Sequence, residues 1–86
     1  MIFKISIRKQ ALKELERFPA YINRKILKEI DSLAFNPRPR GCKKLKGEFE
    51  TLWRIRSGDY RIIYSVEDKI KIIDVRHVGH RKNIYD

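Results

Sequence analysis

Leu52-Trp53-Arg54-Ile55-Arg56-Ser57-Gly58-Asp59-Tyr60-Arg61-Ile62-Ile63-Tyr64 alternates apolar and basic side chains on both sides of a Gly-Asp pair. Period-two alternation flanking two turn-forming residues predicts a β-hairpin with Gly58-Asp59 as its two-residue loop. That loop length fixes the register: Arg56 opposite Arg61, Ile55 opposite Ile62, Trp53 opposite Tyr64. Side chains alternate across a strand, so Trp53, Ile55, Tyr60, Ile62 and Tyr64 share one face. With Glu67-Asp68 as the next loop, Ile73 and Val75 join them on a core face, and strand parity places His77 there too. The other face collects Arg54, Arg56, Arg61, Asp74 and Arg76. Like charges directly opposite one another destabilise a strand pair. One reading is that this face receives phosphate, whose oxygens match guanidinium forks. The other is a solvated face partly neutralised by an Arg61–Asp74 pair.

Outward from the hairpin, strands are expected over 51–56, 60–66 and 69–78, and a first strand over 2–7. Ala11, Leu12, Leu15 and Phe18 recur at helical spacing, as do Ile22, Ile26, Ile30 and Leu33. Pro19 breaks the pattern and suits the first turn of the second helix, where its missing N–H costs nothing. Asn36-Pro37 ends that helix. Residues 37–47 show no periodicity and hold Arg38, Arg40, Lys43, Lys44 and Lys46 without an acid. The expected fold is α+β: β-α-α-β-β-β, a helical hairpin on one face of a small, mostly antiparallel four-stranded sheet. At 86 residues the chain is read as one domain, 1–86.

The formal net charge is +10. Such an excess opposes compaction and points to a polyanionic partner, nucleic acid first. The alternative is a basic protein with no such partner. Cys42 is the only cysteine, which excludes a disulfide framework or a cysteine-based metal site. Met1-Ile2-Phe3-Lys4 opens no secretory signal, and no apolar run approaches the roughly 20 residues that span a bilayer. The expectation is a cytoplasmic protein without a membrane partner.

The 52–64 segment resembles the central strand pair of RelE/ParE toxins. His77-Val78-Gly79-His80-Arg81-Lys82-Asn83-Ile84-Tyr85 resembles the motif that closes the RelE-like members, and Lys44-Leu45-Lys46-Gly47 fits the approach to the second strand. The resemblance covers essentially the whole chain. It implies a toxin held inactive by a cognate antitoxin, and a ribosome-dependent endoribonuclease acting on mRNA without a metal or other cofactor. In that reaction the 2′-hydroxyl attacks the adjacent phosphorus and leaves a 2′,3′-cyclic phosphate and a 5′-hydroxyl. It needs a proton acceptor, cations for the pentavalent charge and a donor to the leaving oxygen.

Carried over by the resemblance, Arg61 holds the scissile phosphate, Arg81 acts at the leaving group and Tyr85 orients the RNA. Arg54 stands where RelE often has lysine, and Leu52 where it has another. An arginine stays protonated, so Arg54 stabilises charge but is a poor base. His80 is the substitute proton acceptor, because histidine is the side-chain type suited to exchanging protons near neutral pH, beside the weaker candidates Glu48 and Glu50. Lys43, Lys44, Lys46, Arg56, Arg76 and Lys82 are expected to contact rRNA or mRNA backbone. Two other functions compete: a ParE-type poison of DNA gyrase, and a non-catalytic RNA-binding module. The Arg61, Arg81 and Tyr85 set argues against the first. The lack of paired RRM aromatics or a KH-type Gly-rich loop argues against the second.

Overall fold

A computed structural model of the chain describes residues 2–46 and 50–80. The elements are β1 (Lys4–Ile7), α1 (Lys9–Glu16), α2 (Ala20–Ser32), β2 (Lys43–Lys46), β3 (Thr51–Ser57), β4 (Tyr60–Glu67) and β5 (Ile72–His80). The sheet has five strands in the order β1-β5-β4-β3-β2. β1 runs parallel to β5, and the other pairs are antiparallel.

The expected four strands become five, because β2 forms inside the segment read as aperiodic. Its Lys-Lys-Leu-Lys sequence half-covers Leu45 alone, so no alternation marks it. Its backbone order comes from pairing with β3, Lys43 opposite Arg54 and Leu45 opposite Leu52. Lysines on such an edge discourage pairing with further chains.

The β3–β4 hairpin has the expected register, closing at Ser57 opposite Tyr60. Gly58 in its loop has φ +61, a conformation glycine adopts without strain. The β4–β5 connection spans 68–71 instead of Glu67-Asp68, with Glu67 opposite Ile72. Both loops have an even number of residues, so Ile73 and Val75 still face the core, both fully buried.

Parity then changes. Tyr64 lies opposite Val75 but Ile63 lies opposite His77, so Arg76 is the extra residue of a β-bulge. Beyond it Val78 takes the core position, fully buried, and His77 turns outward with its side chain 52% exposed. The expectation that His77 faces the core is therefore corrected, and the bulge is the cause.

The helices pack on the core face through Ala11 and Leu15 of α1 and Ile26 and Ile30 of α2, with Leu33 just beyond, against Ile55, Ile62, Tyr64, Ile73, Val75 and Val78. Each such fully buried aliphatic contributes about 1.5–3 kcal/mol relative to exposure. Pro19 is the N-cap of α2, one position before the expected first turn. Asn23 Nδ2 donates to the Leu15 carbonyl at 2.9 Å and ties the two helices together. α2 stops at Ser32, short of Asn36-Pro37, as the chain turns to let Phe3 N–H reach the Ala34 carbonyl at 2.8 Å. Among the described residues no helix is long and apolar enough to cross a membrane.

Candidate active site

The outward sheet face is built by alternation. Leu52, Arg54 and Arg56 project from β3, with Arg54 opposite Ile63 and Arg56 opposite Arg61 on β4. Lys43 lies opposite Arg54 and shares the face. Lys44 and Lys46, opposite Trp53 and Thr51, belong to the other side. The lysine-rich segment is thus divided between the two faces. Gly79 lies opposite Arg61 and brings no side chain to crowd it. Arg56 is exposed, Arg61 half-buried, and Arg54 only 4% exposed. Desolvating a guanidinium is costly. Arg54 is the member of this basic face most withdrawn from water. Arg56 also lines a cavity of about 340 Å³ with Arg40, Glu29, Ser32 and Ile55.

Arg76 reaches the same face, but its donors are engaged. Its Nε donates to Asp74 at 3.0 Å, and Nη2 donates to Glu50 at 2.6 Å and to Ser65 at 3.2 Å. Nη1 completes a bidentate pair with Glu50, and the side chain is 13% exposed. The hydrogen bonds from Arg76 hold the Glu50 carboxyl below its ordinary range, and Glu50 in turn raises Arg76. Asp74 lies opposite Ser65, and its Oδ2 accepts from Arg8 at 2.9 Å as well as from Arg76. Asp74, which the solvated-face reading paired with Arg61, instead joins this Arg8–Asp74–Arg76–Glu50 network. The four-residue loop slides Asp74 along β4, away from Arg61.

His80 does not share the arginine face. The bulge turns it toward the helices, opposite Tyr60, with the rings edge-to-face at 5.4 Å. Tyr60 in turn meets Phe18 at 4.8 Å. His80, Gly79, Val78, Glu14, Arg17 and Phe18 line a cavity of about 120 Å³. Arg81, Lys82, Tyr85 and Glu48 lie outside the described residues.

Glu14 and Arg38 make contacts that the sequence reading did not anticipate. Glu14 interrupts the apolar stripe of Ala11, Leu15 and Phe18, a signal visible in the spacing. Its carboxylate accepts from Val78 N–H at 3.2 Å. Arg38 pairs with Asp68 at 2.7 Å and lies over the Trp53 ring at 5.1 Å. Nothing local to its basic loop marks either partner.

The family model for the ParE toxin of the type II toxin–antitoxin system parDE matches residues 5–85. The chain is 34% identical over 88 residues to the RelE1 protein of Methanocaldococcus jannaschii, spanning 99% of this chain and 97% of that one. It is 26% identical over 83 residues to toxin RelE of Mycobacterium tuberculosis, spanning 96% and 86%. Among solved structures it is similar to the archaeal RelE–RelB complex from Pyrococcus horikoshii. The TM-score there is 0.83 at 36% identity, covering 98% of this chain and 100% of that chain.

Proposed function

This chain belongs to the RelE/ParE family of toxins of type II toxin–antitoxin systems, and on that premise we propose that it cuts mRNA on the ribosome. The observation that carries the reading is the convergence of Arg54, Arg56 and Arg61 on one sheet face, in strand register. The RelE-named relatives favour cleavage over the gyrase-poisoning alternative.

In this mechanism Arg61 grips the scissile phosphate, and Arg54 stabilises the pentavalent charge from a desolvated position where each charge interaction is stronger. Arg81 acts at the leaving oxygen and Tyr85 orients the nucleotide. Arg56 and Lys43 hold flanking phosphates on the same face, where such contacts position without reading sequence. Arg76, committed to Glu50 and Asp74, shapes the face in place of contacting RNA. If His80 takes the 2′-hydroxyl proton, the ribose must lie over the tip of β5, since the imidazole is on the helix side. No step needs a metal. Solved complexes of similar toxins contain an antitoxin, RelB. The partner of this chain is a cognate antitoxin whose acidic residues meet the basic surface as it orders around the toxin.

The test is purified protein added to programmed ribosomes, with the RNA ends identified. Cyclic-phosphate ends are expected, and Arg61→Ala, Arg81→Ala or Tyr85→Phe should lower cutting by roughly 10²-fold or more. Intact mRNA with topoisomerase-linked DNA breaks would transfer the assignment to the gyrase-poisoning class.

A further inference from the structure

β1 accompanies β5 only from Lys4 opposite Ile72 to Ile7 opposite Val75. From the bulge to His80, β4 is the one strand paired with β5 among the described residues. Among the described residues, the stretch of β5 from the bulge to His80 therefore has one open edge. α1 runs beside that edge.

At this point the helix carries an acid in its apolar stripe. The Glu14 side chain is 23% exposed, between Ala11 and Leu15 on a face turned to the core. A carboxylate partly withdrawn from water needs hydrogen-bond partners to offset the loss of hydration. Glu14 Oε1 accepts the Val78 N–H at 3.2 Å and stands 3.7 Å from His77 Nδ1. One carboxylate thus supplies the acceptor that a neighbouring strand's carbonyl would have supplied. It also engages the residue that the bulge has turned outward.

We propose that Glu14 is a positioning residue for the reaction: it braces the open end of β5 and so fixes the strand that presents His80 and leads into Arg81. The proposal rests on the ribonuclease reading, because it assigns Glu14 an effect on cleavage and not on folding alone. Displacements near 1 Å in a catalytic constellation can lower rates by up to about 10²-fold, so a released strand end has a measurable consequence.

The test pairs amide hydrogen exchange with single-turnover cleavage on ribosomes, using wild type, Glu14→Ala and Glu14→Gln. In Glu14→Ala the Val78 amide should exchange about tenfold faster while β4 amides keep their protection, which shows that the fold persists. The cleavage rate constant should fall about tenfold with ribosome affinity unchanged. Glu14→Gln, which keeps an acceptor oxygen, should restore both. Unchanged Val78 protection in Glu14→Ala overturns the brace, and faster exchange with undiminished cleavage overturns its role in positioning. A wild-type protein that cuts nothing removes the ribonuclease reading by itself, with the exchange measurement still deciding whether the brace exists.

Discussion

The guanidinium of Arg76 donates to Glu50, Asp74 and Ser65, and that of Arg56 is exposed. Two arginines on one sheet face therefore differ in how far their donors are committed within the protein. Arg76→Met should lower the free energy of unfolding by about 1.5–3 kcal/mol in urea titrations, the range for losing a hydrogen bond to a charged group. Arg56→Ala should leave stability within about 0.5 kcal/mol and weaken ribosome binding. The carboxyls of Glu50 and Asp68 are both held below their ordinary range, chiefly by hydrogen bonds from Arg76 and Arg38. A carboxyl depressed in the folded state stabilises it above the unfolded-state pKa, and that contribution is lost as the pH falls through the lower folded-state value. The urea midpoint should therefore decline as the pH drops through and below the ordinary carboxylate range. The decline should be smaller in Glu50→Gln; equal slopes in the two proteins would exclude the pair as an acid-sensitive contact. Arg54 and Arg61 were legible as a shared face. The partners of Arg76 were not, because Glu50 is remote in sequence and was read only as a weaker candidate for the proton acceptor.

At the scale of elements, the hairpin and the two helical stripes were readable because each is set by local periodicity. The β5 bulge was not. One extra residue at Arg76 leaves no mark in a run that alternates on both sides of it, yet it exchanges the roles of His77 and Val78. The 35–42 connection depends on a contact with the sheet. The Tyr64 hydroxyl donates to the Pro37 carbonyl at 2.6 Å, and burial pushes the Tyr64 phenol well above its ordinary range. Tyr64→Phe should cost about 1 kcal/mol and speed tryptic cleavage at Arg40. Unchanged proteolysis would show that Arg38–Asp68 alone secures the connection. Truncation in the core is more severe: Ile30→Ala should remove about 2–5 kcal/mol.

For the molecule as a whole, the net charge of +10 predicts ribosome affinity that falls steeply with salt. Lys43→Ala, on the arginine face, should lower the slope of log K against log salt by about 1, whereas Lys44→Ala, on the opposite side, should change it less. Equal effects would mean that the RNA wraps both faces. Sequence alone determined the charge, the α+β class with its helical pair, the hairpin register and hence the arginine-bearing face. Each of these follows from composition or from neighbours a few residues apart. Only the tertiary structure decided the fifth strand, the outward turn of His77, the side on which His80 lies, and the carboxylates that take Arg76 out of the basic surface. Those depend on which backbone edges remain open once the helices dock, and on contacts between residues far apart in the chain, for which local periodicity carries no signal.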